Sequence, residues 1–367
     1  MTNLGLVCTR YEWLATLARL SPVIARVKLE RVVEDYVYWD SDRKRARNAL
    51  AFNLANSDCH NELIARCLER LDEKSNGDVS LRKLLVDLTS GNTYGAFCEI
   101  SVYSWLLDLK IHFELQVSMA KVLNPNGSIL DGRLGFSSGV LFDVKGFGFH
   151  EQLVKRLQGR LSEDFVDSFV AIEGTWDVPI SELADLLSSG YQRLKRELAQ
   201  AGYARRGSLD LILRSKSPVQ VTSALMDPYL LAETNSGYAF NYAKQFARRE
   251  SFLLVFVIHP WVSGVTLHDN FANYVGTFTR ALARRTFMQF RRDRTPLMGT
   301  TRARASRLLS GLAFLNAWRD PNEQGPMTCR LFLNPHAKYP ISALVVDELR
   351  WSVGNSITVD RFDHDTY

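Results

Sequence analysis

The run Phe252–Ile258, with the sequence FLLVFVI, contains seven consecutive apolar residues and constrains the fold more than any other segment. Such a run is typical of a strand that is buried on both faces, because a strand with one face in water alternates apolar and polar residues. It is far shorter than the roughly 20 residues that a membrane-spanning helix needs. We therefore expect a central strand of a covered β-sheet here, and no membrane partner.

The chain has 367 residues, which is enough for two or three domains of about 150 residues each. Its five cysteines are scattered without a Cys-x-x-Cys pair. This usage predicts reduced thiols in a cytoplasmic protein, and it argues against a disulfide scaffold or a structural zinc site. The first basic residue is Arg10, so the charged n-region of a signal peptide is not expected.

Apolar periodicity divides the chain into three regions. Residues 1–90 have the three-to-four spacing of helices. Residues 91–265 combine helices and strands, with a mixed segment at about 150–225, and residues 266–367 form a basic region with helices and short strands. The predicted helices beyond residue 90 are Thr93–Leu109, Ser181–Ala201, Leu230–Arg249, 269–292 and 301–318. The predicted strands are 111–119, 128–136, 139–147, 252–258, 328–334, 341–346 and 356–361.

The predicted strand Gly139–Phe147 carries a carboxylate and an ammonium group two residues apart. Because side chains alternate between the two faces of a strand, Asp143 and Lys145 share one face, while Val140, Phe142 and Val144 point to the other. Taken alone, such a pair is equally compatible with a solvated surface ion pair.

Asp131 lies at the end of the preceding predicted strand, twelve residues before Asp143. If these strands are neighbours, both carboxylates converge, and Gly132 has no side chain to obstruct the approach. Two weakly screened carboxylates repel one another and need a proton or a cation between them. Oxygen ligands of this kind suit Mg²⁺, which typically takes one or two carboxylates and keeps several waters.

Glu99 is the only charged residue between Gly91 and Leu107, on a helix that is otherwise almost wholly apolar. An unpaired buried carboxylate is costly, so Glu99 needs a partner. The metal site or Lys145 could supply it. Alternatively, Glu99 faces a polar gap and has no role in a site.

The succession of Glu99 on a buried helix, then Asp131, then Asp143-Val144-Lys145 resembles the PD-(D/E)xK nuclease superfamily, which has the restriction-endonuclease-like fold. Leu130 stands where that motif often has proline. The resemblance implies an α+β protein whose core is a central mixed β-sheet flanked by helices, in the order helix, three strands, helix, strand, with a helical N-terminal region and a C-terminal extension.

In that arrangement the helix Leu230–Arg249 and the strand Phe252–Ile258 complete the core, and residues 150–225 are an insertion. An alternative takes His150–Leu161 as the second core helix. Gln245 lies where many members of the family place a polar active-site residue.

The resemblance further implies Mg²⁺-dependent hydrolysis of DNA phosphodiester bonds, with Mn²⁺ able to substitute. Asp131, Asp143 and Glu99 would serve the metal, and Lys145 and Gln245 would complete the catalytic set. Restriction or anti-phage defence is the role that the analogy suggests. A DNA-binding or scaffold subunit with a catalytically unused core, and an RNA-directed nuclease, stay open as alternatives, as do a homodimer and a partner subunit.

A basic stretch near the C terminus predicts contacts with DNA phosphates. Nine arginines and a single acidic residue, Asp293, give it a net charge of +8, against only +5 for the whole chain. A local surplus of this size indicates a polyanionic partner, although a solvated or internally paired surface would look the same in the sequence. The arginines are Arg280, Arg284, Arg285, Arg291, Arg292, Arg294, Arg302, Arg304 and Arg307. Arg205 and Arg206, in a predicted turn of the insertion, are expected to influence sequence preference.

Overall fold

The computed structural model describes residues 10–26, 54–75, 79–89, 93–124, 126–135, 138–147, 150–175, 185–187, 189–207, 209–215, 223–225, 228–259, 268–297, 300–317, 327–353 and 357–363. The helices are α1 (Arg10–Leu20), α2 (Pro22–Arg26), α3 (Asp58–Ser75), α4 (Val79–Leu88), α5 (Thr93–Asp108), α6 (His150–Asp164), α7 (Tyr191–Ala201), α8 (Pro228–Thr234), α9 (His268–Met288), α10 (Arg302–Leu308) and α11 (Ala343–Val353). Two 3-10 segments cover Tyr238–Gln245 and Gln289–Arg292.

The strands are β1 (Phe113–Ser118), β2 (Ile129–Leu134), β3 (Val140–Phe147), β4 (Ser168–Thr175), β5 (Tyr203–Arg206), β6 (Leu209–Ser215), β7 (Ser223–Leu225), β8 (Phe252–Ile258), β9 (Pro296–Leu297), β10 (Thr300–Thr301), β11 (Gly311–Asn316), β12 (Cys329–Leu333) and β13 (Ile357–Asp360). With these helices and strands, the chain is an α+β protein, as predicted.

The chain forms two compact units. One comprises Met1–Gly146, Lys244–Ile258 and Arg307–Asp365, and the other is built mainly from Phe147–Ala243 and His259–Ser306. These units do not coincide with the three regions drawn from the sequence. The difference arises because strands from residues 266–367 pair into the same sheet as strands from residues 91–265, and sheet pairing depends on tertiary contacts rather than on position along the chain.

A seven-stranded mixed sheet forms the centre of the first unit, in the order β1-β2-β3-β8-β11-β12-β13. Strands β1, β2 and β3 pair in antiparallel fashion, whereas β8 and β11 are parallel. All seven residues of β8 are buried, which confirms the central strand predicted from its apolar sequence. Helix α5 contacts β8, and helices α3 and α4 pack against α5. The four strands predicted from the motif are therefore consecutive neighbours in one sheet.

The predicted helix Leu230–Arg249 is wrong as a continuous element. Helix α8 ends at Thr234, and a turn over residues 235–237 separates it from the 3-10 segment Tyr238–Gln245. Within this break, Tyr238 N–H donates to the Asn235 carbonyl at 2.8 Å and Phe240 N–H donates to the Gly237 carbonyl at 3.0 Å. Asparagine and glycine favour such turns over a helix interior, which explains the interruption.

The C-terminal region differs from its prediction at two elements. The expected helix 301–318 ends at Leu308, and Gly311–Asn316 is instead a buried strand between β8 and β12. The expected strand 341–346 is the start of helix α11, where the Ser342 hydroxyl accepts a hydrogen bond from the Val345 N–H at 3.3 Å. A short apolar run fits a helix or a strand equally well, whereas the Ser342 cap was a readable helix signal.

The second unit contains a sheet of its own, in the order β5-β6-β4-β7. Leu157 and Leu161 of α6 and Leu194 and Leu198 of α7 belong to one buried cluster with side chains of this sheet. The predicted helix Ser181–Ala201 is interrupted in the structure: residues 185–186 are helical, turns follow at residue 187 and at residues 189–190, and α7 begins at Tyr191. Residues 181–184 and 188 of this predicted helix, like residues 27–53 of the helical N-terminal region that the sequence predicts, lie outside the described residues.

Candidate active site

Three secondary-structure elements of the first unit bring the predicted acidic residues together. Glu99 lies on α5, Asp131 on β2 and Asp143 on β3. The register pairs Gly132 with Phe142, which places Asp131 directly opposite Asp143. The backbone N–H of Val144 donates a hydrogen bond of 2.6 Å to Asp131 Oδ2. The convergence of the two aspartates that the motif spacing predicted is therefore present.

Gly132 allows these strands to approach closely. A β-carbon at this position would overlap the Phe142 ring and would lie 2.5 Å from the Glu114 carbonyl oxygen, a distance that real β-carbons do not reach. Because one of these two clashing groups is a backbone carbonyl, a change of side-chain rotamer could not remove the clash. A residue without a side chain is thus required beside Asp131.

Asp143 is 1% exposed and pairs with Lys145, whose Nζ lies 2.8 Å from Asp143 Oδ2. The ammonium group is close but not aligned as a hydrogen-bond donor, so Oδ2 is a buried oxygen with an electrostatic partner and no well-directed hydrogen bond. Burial and then the charge of Asp131 raise the pKa of Asp143 to about 8, and the positive charge of Lys145 opposes them.

Glu99 is half-buried beside the same aspartates. Burial and then the negative charge of Asp131 raise the pKa of Glu99 to about 8, while Lys83 and Lys145 act in the opposite direction. Glu99 Oε2 accepts a hydrogen bond of 3.3 Å from the Gln116 side chain. Glu99 thus lies within electrostatic range of both Asp131 and Lys145, and its role in the site stays a prediction.

The donor set fits a divalent cation. Asp131 interacts with both Asp143 and Glu99, and burial together with the charge of Asp131 raises the pKa values of Asp143 and Glu99, despite the opposing charge of Lys145. Within the described ranges, no three His, Cys, Asp or Glu side chains are grouped so that they could hold a metal ion together. Mg²⁺ does not need such a group, because one or two carboxylates and several waters commonly complete its coordination. Asp131 and Asp143 are the residues that would hold it.

Gln245 is the predicted site residue that the structure does not join to this cluster. It ends the 3-10 segment Tyr238–Gln245, and its Oε1 is buried without a hydrogen-bond partner in the part of the chain that the structure describes. No hydrogen bond there connects it to the three carboxylates. Its catalytic role stays a prediction.

The structure separates the arginines of the basic stretch into engaged and exposed groups. Arg285 pairs with Glu233 at 3.3 Å, and Arg302 pairs with Asp293 at 3.5 Å and lies over the Phe290 ring. Three further arginines are half-buried and also interact with other groups, namely Arg280, Arg284 and Arg291. The spacing of these three residues, four and then seven positions apart, predicts that they share one helical face. This prediction is wrong, because α9 ends at Met288 and leaves Arg291 in a 3-10 turn.

Arg292, Arg294 and Arg304 are exposed, and none of them forms an ion pair with another described residue. They surround one compact turn, in which the Ala303 N–H donates to the Asp293 carbonyl at 2.8 Å. This hydrogen bond brings the segment that carries Arg292 and Arg294 next to the start of α10, which carries Arg304. These three side chains, and the exposed Arg307 of α10, are the part of the basic stretch that is accessible to a phosphate.

The two arginines of the insertion are paired within their own unit. Arg206 is bonded to Glu197 at 2.7 Å, and its side chain is only 19% exposed. Arg205 lies 3.7 Å from Asp210 and donates to the Gly207 carbonyl. Their segment is a strand, β5, followed by a turn at Gly207, rather than the turn that was predicted for them.

Comparisons with known protein families, with curated proteins and with solved structures find no match to this chain. Among the helices of the described ranges, none combines the length and the apolar character needed to cross a bilayer. The geometry and charge of the cluster itself are therefore the features that bear on the function of this chain.

Proposed function

We propose that this protein is a divalent-metal-dependent endonuclease that hydrolyses phosphodiester bonds of DNA. The observation that carries the proposal is the cluster of Asp131, Asp143 and Lys145 on two neighbouring strands, with Glu99 approaching from α5. Buried carboxylates with raised pKa values, here Asp143 and Glu99, are a common feature of catalytic sites, and Asp143 also forms an ion pair with Lys145.

The topology supports a restriction-endonuclease-like core. Helix α5 precedes β1, β2 and β3, and β8 is the next strand of the sheet, as the family order requires. Helix α6, directly after β3, and the helical segments between residues 228 and 245 both stay candidates for the second core helix.

Each member of the cluster has a defined task in this proposal. Asp131 and Asp143 hold the cation, and Glu99 contributes to that binding directly or through a water molecule. A bound Mg²⁺ or Mn²⁺ supplies Lewis acidity at a phosphate oxygen and stabilises charge on the leaving oxygen. Lys145 orients the attacking water and offsets negative charge that develops at the phosphate. A role in restriction or anti-phage defence, in the cytoplasm, is part of the proposal by analogy with the family.

Cleavage of supercoiled plasmid and of linear duplex DNA, with Mg²⁺ or with EDTA, tests the proposal. We expect Mg²⁺-dependent cleavage by the wild type and a loss of about 100-fold or more in Asp143→Asn and in Lys145→Met. The matched control is Asp347→Asn, which removes an exposed carboxylate of α11 in the same unit and should cleave at the wild-type rate.

The same assay separates the alternatives. Cleavage of single-stranded RNA but not of DNA would select an RNA-directed nuclease. Tight DNA binding without cleavage under any divalent cation would select the DNA-binding or scaffold subunit. Equal rates for wild type and Asp143→Asn would remove the cluster from the reaction.

A further inference from the structure

Gln116 has an unusual backbone conformation in the interior of strand β1. Its φ is +49°, in the left-handed region that residues other than glycine rarely adopt. Two other described non-glycine residues have positive φ, but Lys110 lies in a turn and Phe362 lies after the last strand. For an L-residue this conformation costs about 1–2 kcal/mol. The geometry of a strand interior does not require a positive φ, so another feature of the structure must maintain this conformation of Gln116.

The strain occurs opposite the candidate metal site. Leu115 pairs with Gly132 and Val117 pairs with Leu130, which places Gln116 across from Asp131. A left-handed residue turns its side chain out of the regular alternation of a strand. Here the regular pairing of β1 with β2 is interrupted at Gln116 and Asp131, the residue pair nearest the carboxylates.

The redirected side chain bridges two charged groups. Gln116 Nε2 donates to Glu99 Oε2 at 3.3 Å, and Gln116 Oε1 accepts from Lys83 Nζ at 3.3 Å. The side-chain amide supplies the donor for one of these contacts and the acceptor for the other. A glutamate here would place another carboxylate against Glu99, and a leucine would leave both groups without this contact.

We propose that Gln116 is a positioning residue that orients Glu99 toward the metal, and that the strained backbone of β1 is retained for this purpose. Strain of this kind concentrates at functional sites, where the surrounding structure holds the residue in place. The inference rests on the proposed function, because Glu99 needs a fixed orientation only if it serves a cation. Groups that orient metal-binding side chains typically change metal affinity or activity by about 10–100-fold when they are removed.

The decisive variant is Gln116→Gly, because its effects on stability and on function should have opposite signs. Glycine adopts positive φ without strain, so the thermal midpoint should stay equal or rise. The amide is lost, so the Mn²⁺ affinity measured by calorimetry and the DNA cleavage rate should each fall by about 10–100-fold. Gln116→Asn gives a second test: it tolerates the backbone but is too short to reach Glu99, and it should show the same losses.

Two matched results would overturn the inference. One is a Gln116→Gly protein that binds Mn²⁺ and cleaves DNA as the wild type does, and the other is Gln116→Asn with unchanged values. Failure of the proposed function looks different: the wild type would cleave no nucleic acid, while a Mn²⁺ affinity that depends on Gln116 would still support its positioning role. If the wild type neither cleaves nor binds Mn²⁺, both proposals are wrong.

Discussion

The backbone N–H of Val144 donates a 2.6 Å hydrogen bond to Asp131 Oδ2, so the strand that carries Asp143 also holds the carboxylate of the neighbouring strand. Pairing of β2 with β3 and assembly of the candidate metal site are therefore one structural feature. A change that separates these strands should affect the stability of the sheet and the activity of the site together.

Gly132→Ala should be destabilising by about 1–3 kcal/mol and should abolish cleavage. The added methyl group would overlap the Phe142 ring and approach the Glu114 carbonyl oxygen to 2.5 Å, which forces β2 away from its neighbours. Urea denaturation measures the first effect and plasmid cleavage the second.

The matched control for this substitution is Gly159→Ala on α6. No atom lies within 4 Å of the added β-carbon there, and alanine favours a helix over glycine. We expect unchanged cleavage and a free energy of unfolding that is equal or higher by up to about 1 kcal/mol. Equal stability losses in both alanine variants would contradict the packing argument at Gly132.

Glu99→Gln should lower the cleavage rate by about 10–100-fold and leave the fold intact. The amide keeps the size of the side chain, and it removes a charge whose burial is already unfavourable, as the pKa of about 8 indicates. The matched control is Glu114→Gln, an exposed residue of β1, which should behave as the wild type. Wild-type cleavage by the Glu99 variant would assign Glu99 to structure alone.

The motif residues could be placed together from the sequence because their arrangement depends on short-range rules. Strand alternation puts Asp143 beside Lys145, and one antiparallel turn brings Asp131 opposite Asp143. Glu99 was identifiable as a lone charge on an apolar helix. The functional roles of these residues stay predictions.

Other features could not be predicted because they depend on long-range contacts. Gly311–Asn316 becomes a strand because β8 and β12 offer edges on both sides, and its apolar sequence alone suits a helix equally well. The left-handed conformation of Gln116 has no local signal, since glutamine is not a residue that favours positive φ.

In EDTA, the stability of the wild type relative to Asp143→Asn should fall as the pH rises from about 5 to 8. The pKa of Asp143 is raised from 3.8 to about 8 in the folded state, so the folded protein binds more protons than the unfolded chain in this window. Its stabilising contribution is complete below the unfolded pKa and is lost as the pH rises through the folded one. The difference should change by up to about 1.4 kcal/mol per pH unit.

Urea denaturation of both proteins at four pH values measures this difference. The comparison with a variant is needed because His60, whose pKa burial lowers to about 4, gives a trend of opposite sign in both proteins between about pH 4 and 6.5. Added Mg²⁺ should reduce the loss in the wild type at pH 8, since a bound cation favours the ionised carboxylates. If the free energies of unfolding of the wild type and of Asp143→Asn changed in parallel with pH in EDTA, Asp143 would not be the group that titrates.

Replacing Arg292, Arg294 and Arg304 together by glutamine should weaken DNA binding on every sequence. These side chains are exposed and form no ion pair among the described residues, so they are among the arginines of the basic stretch that can reach phosphates. Each phosphate that a protein neutralises contributes about −0.9 to the slope of log affinity against log salt concentration on duplex DNA. The triple variant should therefore have a slope that is flatter by about 0.9 for each phosphate that it no longer neutralises.

Fluorescence anisotropy across a salt series, in Ca²⁺ to prevent turnover, measures the slope. The matched control replaces three exposed arginines elsewhere, Arg66, Arg196 and Arg350, and removes the same net charge. If net charge alone attracted the DNA, both triple variants would flatten the salt slope equally. If the DNA binds to a defined contact surface, only the first triple variant should flatten it. Because phosphate contacts position the duplex without reading its sequence, the first variant should lose affinity equally for all duplexes. An unchanged slope would show that these arginines serve another partner.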